Sequence, residues 1–487
     1  MHEEAFGSMI PVAEESIEPA AWADAAADIA GATDSIDAFE VRADERTERT
    51  LGVRGEVLVA ARTLRSTGVG VTIYAGGGVA HVHAASPTRA QLREQIARGV
   101  RLAKHAGRAL FARVPSDLGQ ARHVRYRPTV RIDPAEAANE RVLELLREGA
   151  AGARAVDPEV VAEAALGVRS ARTFVVSSVG SRIDIASLVS TVRVLAKVTR
   201  AGRLGTAAVR LAGERGLEDY AAHDAMSALG QRAVLEARES LDAIPLASGR
   251  YRVLCDNELA GTLAHESFGH LTEFDLVSSG WSTLRGRLGE TIAAPGVTIS
   301  DAPISPGEAR EGVAVPYDDQ GVAGQKVTML RDGVLSAWMH TRESALAEGH
   351  TAGGNGRALD ARFPVIVRMR NTFFEPGDAT VEEALEAVGD GLYLLGARGG
   401  APHSDGSFMF TSIRGFFVKG GKLAQPVRTA AIHGDIFEFL KNVEMVADDF
   451  RVSTNVFGGC GKRDQSFMHV GVGGPHVLVR DALVGGV

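Results

Sequence analysis

Cysteine is nearly absent from this sequence: Cys255 and Cys460 are the only two among 487 residues. Two thiols cannot form a disulfide framework, and a chain of this length can bury a core large enough to do without one. Also lacking is any apolar run of the 18 or so residues that a membrane helix needs, and the first residues, Met-His-Glu-Glu, are acidic where a secretory signal is basic. The sequence therefore predicts a cytoplasmic protein that does not engage a membrane.

Positive charge is in short supply as well. The 53 Lys and Arg residues are outnumbered by 61 Asp and Glu residues, which gives a formal net charge of −8. Clustered cations dominate binding to nucleic-acid phosphates, so this balance argues against direct contact with nucleic acid. The one arginine-rich stretch, residues 93–113, is interpreted as the solvated face of a helix. With 45% hydrophobic and 23% charged residues, the composition is that of a folded globular chain of two or three domains.

Helical and strand-like periodicities alternate through the first half of the chain. Proline or a capping residue marks the start of several helical segments, and short apolar and polar alternation broken by glycine marks the strands. The pattern of residues 37–84 predicts an antiparallel meander, and residues 158–215 return to strand-like alternation. The predicted helices cover residues 19–31, 86–106, 133–146 and 218–242.

The second half of the chain is rich in glycine and in short strand candidates. It follows the stretch AIPLASGR, residues 243–250, which has the composition of a linker. We therefore predict two domains, a mixed α/β N-terminal domain at 1–245 and a β-rich C-terminal domain at 246–487, in an α+β fold. The strand candidates of the second domain are residues 251–255, 313–315, 325–330, 365–369, 415–418 and 476–479.

The segment NELAGTLAHESFGHLTEFD, residues 257–275, carries the clearest chemical signal. His265 is followed directly by Glu266 and, after three more residues, by His270, in a stretch whose apolar spacing and leading Asn257 suit a capped helix. Imidazole suits zinc, and a glutamate beside a ligand histidine can accept a proton from water. The sequence therefore predicts a metal site on this helix.

The spacing of the two histidines conflicts with a regular helix. Residues five apart lie about 140° from each other around a straight α-helix, which is too far to share one metal ion. Gly269 stands directly before His270, and glycine tolerates distortion more easily than other residues. We therefore expect a π-type bulge or a loosened turn at Gly269 that brings both rings to one side.

A third ligand has to come from elsewhere, because two histidines alone would not hold zinc. Cys460 is the best candidate. The glycines that flank it would let its backbone approach a buried site, and Lys462 could favour the thiolate. Cys255, in the apolar run YRVLC ten residues before His265, is the rival, although such a cysteine is usually a small buried hydrophobe.

The other histidines show no ligand spacing. His81 and His83 follow the alternation of a strand more closely than that of a metal pair. Six more are interpreted as satisfied or exposed side chains: His340, His350, His403, His433, His469 and His476.

Taken together, these residues resemble the TldD/PmbA metallopeptidase family, historically called modulators of DNA gyrase, and within it the catalytic TldD-like branch. The likeness extends over nearly the whole predicted second domain and, more loosely, over residues 66–84 of the first. The motifs that carry it are HESFGH at 265–270, DDQGVAGQKVTMLRDGVL at 318–335, GGNGRALD at 353–360, RNT at 370–372 and GGCGKRDQSFMHVGVGGP at 458–475.

The resemblance implies an α/β N-terminal domain followed by a β-rich domain that carries a zinc site. It assigns His265, His270 and Cys460 as the zinc ligands and Glu266 as the catalytic glutamate. Members of the TldD branch commonly pair with a PmbA-like subunit and trim peptides or unfolded segments, including leader peptides of modified natural products. A dimer is therefore implied, either with a PmbA-like chain or with a second copy. The substrate would bind as an extended strand in a cavity closed by the second subunit.

The predicted function is that of a zinc-dependent metallopeptidase that cleaves peptides or unfolded protein segments. Glu266 would act as general base for water and then as proton donor to the leaving amine. Two other classes stay open. One is a zinc amidohydrolase that acts on a small-metabolite amide with the same residues, and the other is a non-catalytic binding or adaptor protein with structural zinc. A structural site usually has four protein ligands, and the sequence supplies three, which favours catalysis.

Overall fold

A computed structural model describes residues 19–109, 113–304 and 310–486, so the acidic N-terminus lies outside the described residues. Helices and many strands form a mixed α+β fold whose second half is rich in β-structure, which confirms the predicted fold class. Among the described residues, no helix is long and apolar enough to cross a membrane.

The described part of the first half contains one large, mostly antiparallel sheet. Its strands are β1 (Ala38–Arg54), β2 (Val57–Ala75), β3 (Gly78–Ala84), β4 (His123–Tyr126), β5 (Val161–Ser177), β6 (Arg182–Arg200) and β7 (Arg203–Gly213). They are ordered β3-β2-β1-β5-β6-β4, and β7 also pairs with β6. The antiparallel pairing of β1, β2 and β3 confirms the meander predicted for residues 37–84. β4 pairs in parallel with β6 and had no counterpart in the sequence prediction.

Helices cover this sheet: α1 (Pro19–Gly31), α2 (Arg89–Ala109), α3 (Asn139–Val156), α4 (Leu217–Tyr220) and α5 (Ala225–Leu241). Three of the four predicted helices occur, and the described arginines of the 93–113 stretch are exposed, as expected for a solvated face; residues 110–112 lie outside the described residues. α3 begins six residues later than predicted, because the backbone and side chain of Asp133 close a separate turn over residues 133–137. The single helix predicted at 218–242 is wrong. His223 and Asp224 adopt a left-handed backbone, with φ of 50° and 55°, and divide it into α4 and α5.

The second half is built from short strands and short helices. The strands are β8 (Gly249–Cys255), β9 (Ile299–Ala302), β10 (Val327–Arg331), β11 (Val334–Leu335), β12 (Gly356–Arg357), β13 (Ile366–Val367), β14 (Asn371–Phe374), β15 (Gly391–Pro402), β16 (Ser407–Lys419), β17 (Lys422–Val427), β18 (Ala430–Asp435), β19 (Val443–Val446), β20 (Arg451–Ser453), β21 (Cys460–Lys462), β22 (Gln465–Met468), β23 (Gly471–Gly474) and β24 (Val477–Gly486). The helices are α6 (Asn257–Thr262), α7 (Phe274–Ser278), α8 (Arg342–Glu348), α9 (Val381–Val388) and α10 (Ile436–Lys441).

Two β-structures of the second half enclose the predicted metal helix. β15, β8, β24, β18 and β16 pair in succession, and β16 pairs back onto β15, so these strands close into a barrel. A second sheet runs in the order β11-β10-β9-β14-β23-β20. One apolar cluster joins Val253 and Phe410 of the barrel, Leu263 and Phe268 of the motif segment, and Ile299 of the second sheet. The motif segment is therefore held between the barrel and the second sheet.

Most strand candidates of the second half coincide with strands, with one clear exception. Residues 313–315 form no strand, because the side-chain amide of Asn371 takes the place of a neighbouring strand. Its Oδ1 accepts from the N–H of Val313 at 2.9 Å, and its Nδ2 donates to the carbonyl of the same residue at 2.8 Å. The boundary between domains at residues 245 and 246 stays a prediction.

Candidate metal centre

The three predicted ligand side chains lie together in the interior. One donor atom from each of His265, His270 and Cys460 lies within 4.8 Å of the others, and all three residues are buried. The Sγ of Cys460 is 3.3 Å from the Nε2 of His270, and the two imidazole rings stand nearly perpendicular with centroids 5.2 Å apart. Within the residues that the structure describes, this is the only group of three or more such side chains placed to hold a metal ion.

The two histidines share one side because the helix changes its geometry between them. α6 continues into a π-helix at Leu263–Gly269, and the N–H of His270 donates to the carbonyl of His265, five residues earlier. A short 3₁₀ turn, His270–Thr272, follows. Since a π-turn closes over five residues, side chains at that spacing point the same way. The predicted distortion is confirmed, although it spreads over two turns of helix rather than standing at one glycine.

Gly269 is required by packing and not by its backbone conformation. Its φ of −56° is ordinary for a helix. A Cβ at this position would lie 2.3 Å from the Sδ of Met369 and 3.2 Å from the carbonyl oxygen of Ala264. The absence of a side chain therefore lets the segment between the two histidines press against Met369.

The helix is capped by the residue before the one predicted. The Oδ1 of Asp256 accepts from the N–H of Leu259 at 2.9 Å, as an N-cap does. Asn257, the predicted cap, instead donates through Nδ2 to the carbonyl of Gly474 at 2.8 Å and to the carbonyl of Asp449 at 2.6 Å. Its amide ties the start of the metal helix to the end of β23.

Cys460 reaches the site on the hairpin formed by β21 and β22, in which it pairs with Met468. The fully buried Arg368 donates to the carbonyl of Cys460 at 2.8 Å and to the carbonyl of Gln465 at 3.1 Å, and so clamps both strands. Gly459 has a φ of 157°, and a Cβ there would lie 2.6 Å from the backbone of Phe467. Sequence reasoning missed Arg368; its only signal was a cationic residue alternating with apolar ones in VIVRMR, residues 365–370.

Glu273 contacts the predicted ligand His270, and Lys462 in turn contacts Glu273. The Oε2 of Glu273 lies 2.7 Å from the Nδ1 of His270 and 3.2 Å from the Nζ of Lys462. Lys462 also contacts Asp275 at 2.7 Å and the carbonyl of Val367 at 2.8 Å. Burial alone would raise the pKa of Glu273, but the charges of Lys462 and His270 lower it to about 2.

These contacts give Lys462 a different role from the predicted one. Lys462 forms ion pairs with two carboxylates, so the histidines and not the lysine favour the thiolate form of Cys460. Burial alone would raise the pKa of Cys460, but His270 and His265 lower it well below its usual range. Burial alone would lower the pKa of His270, but Cys460 and Glu273 raise it well above its usual value. Glu273 itself, three residues after His270, could have been found from its helical spacing.

The donor set fits a zinc ion. Both ring nitrogens of the buried His265 lack a hydrogen-bond partner among the described residues. Buried polar atoms are almost always bonded, so such an imidazole is unfavourable unless another ligand satisfies it. Two imidazoles and a cysteine whose thiolate is favoured are donors that zinc prefers. His265, His270 and Cys460 are therefore the residues that would hold it.

Glu266 lies beside this set on its more open side. Its Oε2 is 3.6 Å from the Nε2 of His270, and its side chain is 26% exposed where that of His270 is 5% exposed. Burial raises the pKa of Glu266 above its usual value, against the effect of the two histidines. A carboxyl group in this position can exchange protons with a molecule that approaches the ligands from the open side.

The rival candidates lie elsewhere. Cys255 is fully buried on β8 within the apolar cluster, and burial raises the pKa of its thiol, as expected for a small hydrophobe. The ring of His81 is satisfied by the carbonyl of Ala361 at 3.0 Å and the hydroxyl of Thr72 at 3.2 Å.

Comparison with known proteins finds a matching family model and several curated relatives. Residues 248–486 match the family model described as the PmbA/TldA metallopeptidase C-terminal domain. A protein named metalloprotease from Methanothermobacter thermautotrophicus is 41% identical over 259 residues, 53% of this chain and 55% of that protein. A protein named zinc metalloprotease TldD homolog from Saccharolobus solfataricus is 34% identical over 241 residues, 49% of this chain and 52% of that protein. The chain thus spans about half the length of the curated relatives that it matches.

Solved structures share the fold over nearly the whole chain. TldE from Thermococcus kodakarensis superposes with a TM-score of 0.74 at 16% identity, covering 96% of this chain and 99% of that one. A protein described as a putative modulator of a DNA gyrase, from Thermotoga maritima, superposes with a TM-score of 0.72 at 20% identity, covering 92% of this chain and 96% of that one. At these identities the likeness concerns the fold.

Proposed function

Since this chain belongs to the TldD/PmbA family, we propose that it is a zinc-dependent metallopeptidase that cleaves peptides or unfolded protein segments. The observation that carries the proposal is the buried set of His265, His270 and Cys460, with donor atoms within 4.8 Å of one another. Glu266 stands beside this set, partly exposed. Three protein ligands with one position left open are typical of catalytic zinc, whereas structural zinc usually has four.

Each residue of the site has a role in this proposal. Zinc, when bound, would supply a Lewis acid that polarises the scissile carbonyl. Glu266 accepts a proton from the attacking water and returns it to the leaving amine. Glu273 accepts from the Nδ1 of His270 and so leaves the Nε2 of that ring free to act as a ligand. Lys462 balances the charge of Glu273, which would otherwise be a buried and uncompensated carboxylate.

The same family membership supports a proposal about the substrate and the assembly. We propose that the chain works in the cytoplasm as a dimer, with a PmbA-like subunit or with a second copy. Peptides or unfolded segments, among them leader peptides of natural-product precursors, would bind as extended strands. An extended backbone offers the same N–H and C=O groups whatever its side chains, so access would set the specificity.

Purified protein tests the proposal against the two alternative classes. We expect about one zinc ion per chain, cleavage of an unstructured peptide, loss of cleavage after chelation, and recovery when zinc is returned. The rate should grow with peptide length up to several residues. Hydrolysis confined to small amides would instead support the amidohydrolase, and tightly bound zinc without hydrolysis of either substrate class would support the adaptor.

A further inference from the structure

A cleft of about 410 Å³ lies between the first-half sheet and the second-half domain. Strands β1, β5 and β6 form one wall; residues 313–319, 357–362 and 466–469 form the other. Its volume falls within the range of small-ligand sites in proteins. The lining includes four arginines: Arg46, Arg169, Arg357 and Arg362.

Most charges around this cleft are already paired. Arg362 binds both oxygens of Asp360, at 2.9 and 2.6 Å. Arg169 lies 3.4 Å from a carboxylate oxygen of Glu48. Asp319, also in the lining, is 3.4 Å from Arg42. The remaining lining carboxyl, Asp318, accepts three backbone N–H groups, and burial raises its pKa to about 7.

Arg357 is the exception among the lining arginines. Its NH1 donates to the carbonyl of Met369 at 2.6 Å and its NH2 to the carbonyl of His469 at 3.1 Å. No carboxylate of the described residues lies within 4.0 Å of its guanidinium. Burial, together with the cations of Arg368 and Arg370, lowers its pKa to about 10 in spite of Asp319 and Asp301. A half-buried cation without a carboxylate is poorly compensated.

Two further groups in the lining, on Arg46 and His469, offer N–H donors. Arg46 pairs through NH2 with Asp44 at 3.3 Å, but its buried Nε has no hydrogen-bond partner among the described residues. The Nε2 of His469 is 3.2 Å from the guanidinium of Arg169, which can only donate, so the ring proton resides on Nδ1. Burial and the nearby arginines lower the pKa of His469 to about 3, which keeps this ring neutral.

The cleft adjoins both parts of the metal site. Met468, in its lining, is the residue paired with Cys460 across the hairpin. Met369, whose carbonyl accepts from Arg357, packs its sulfur against Gly269 between the metal-binding histidines. Met468 therefore connects the cleft to Cys460, and Met369 connects Arg357 to the segment between the two histidines.

We propose that this cleft binds a carboxylate of the substrate through Arg357, assisted by the unpaired N–H of Arg46. The inference rests on the proposed peptidase function, because carboxylates are the anionic groups of an unmodified peptide. A guanidinium presents its N–H groups in a fork that matches a carboxylate. The carboxylate comes from the C-terminus of the peptide or from an acidic side chain, and a binding experiment separates the two.

The experiment uses the full-length, zinc-loaded protein carrying Glu266→Gln, so that peptides stay intact during calorimetric titration. One peptide pair differs in a free C-terminal acid against its amide, and a second pair differs in an internal Glu against Gln. The carboxylate-bearing member of at least one pair should bind roughly 10- to 100-fold more tightly, as expected for a charged hydrogen bond. The pair that shows the difference identifies the source of the carboxylate. Equal binding within both pairs would overturn the proposal.

Variants test whether the difference in peptide affinity arises in this cleft. Arg357→Gln should abolish the difference, but this arginine also holds two carbonyls and the variant could fold poorly. Ser466→Asp provides a second route, because the exposed Ser466 lines the same cleft and the new carboxylate would repel a carboxylate bound there. Ser466→Asn, equal in size and uncharged, should retain the difference. A difference unchanged in Ser466→Asp would overturn the assignment to this cleft.

The measurements distinguish a failure of the cleft proposal from a failure of the peptidase proposal. Binding is measured without turnover, and cleavage is measured separately on the wild-type protein. If the protein binds carboxylate-bearing peptides more tightly but cleaves none, the cleft proposal stands and the peptidase proposal is refuted. A protein that cleaves peptides while binding acid and amide equally refutes only the cleft.

Discussion

The Oε2 of Glu273 lies 2.7 Å from the Nδ1 of His270, and the Nε2 of the same ring lies 3.3 Å from the Sγ of Cys460. A carboxylate that accepts from one ring nitrogen fixes the tautomer and leaves the other nitrogen as a donor to metal. The arrangement links a residue of the metal helix to a cysteine 190 positions away. The geometry of the site therefore depends on Glu273 as well as on the three predicted ligands.

Glu273→Gln is expected to weaken zinc binding by about 10- to 100-fold, because the amide lacks the charge that strengthens His270 as a donor and pairs with Lys462. Competition with a chromophoric chelator measures the dissociation constant. Glu290→Gln serves as the control, since Glu290 is an exposed partner of Arg287 at the surface. Equal zinc affinity in Glu273→Gln and wild type would contradict the role assigned to Glu273.

Glu266→Gln should retain zinc and lose hydrolysis by about two to four orders of magnitude, because the amide cannot accept the proton of water. Zinc content and the rate of peptide cleavage are measured on the same preparation. Near-normal zinc together with near-normal cleavage would rule out Glu266 as the base.

Cys460→Ala should purify without stoichiometric zinc, because only two histidines would remain and two ligands are too few to hold the metal. Cys255→Ala is the matched control: this thiol lies on β8 and is not part of the donor group, so zinc should stay while the small cavity costs about 1 kcal/mol of stability. Atomic absorption and thermal unfolding give the two readouts. The reverse pattern, with zinc lost only in Cys255→Ala, would exchange the roles of the two cysteines.

Gly269→Ala should destabilise the protein by about 1–3 kcal/mol, as expected for overpacking. In an ordinary helix the same change stabilises by about 1 kcal/mol, but here the new Cβ would meet the sulfur of Met369 at 2.3 Å. Gly458→Ala is the control, because the nearest atom to its Cβ would be the Nδ2 of Asn455 at 3.8 Å. Thermal midpoints of both variants and their zinc content decide the matter. A Gly269→Ala variant as stable as wild type would contradict the packing account.

The proposed dimer, in which the second subunit closes a chamber around the site, predicts a mass above that of one chain, either alone or after mixing with a PmbA-like protein. Unfolded substrates should be cleaved and their folded counterparts spared, because only an extended segment could enter. Light scattering and digestion of matched folded and unfolded substrates provide the test. A monomer that cleaves both equally well would exclude the chamber and leave the zinc proposal untouched.

Local periodicity determined much of the fold from the sequence alone. The helix Pro19–Gly31 and the meander of β1 to β3 occur where the pattern predicts them, because each follows from capping residues or alternation within a few residues. The same reasoning predicted a distorted turn between His265 and His270 from geometry, since five residues of regular α-helix cannot place two rings on one side.

Only the tertiary structure decided what the local pattern leaves open. It brings Cys460 next to His270 and pairs Lys462 with Glu273 and Asp275. It also places the buried Arg368 against the hairpin that carries Cys460. These contacts join residues far apart in sequence, and they depend on how the barrel and the second sheet pack around the helix. A short window of sequence records the propensity of its own residues, whereas the partner of a buried charge is chosen by packing and by the cost of leaving that charge unpaired.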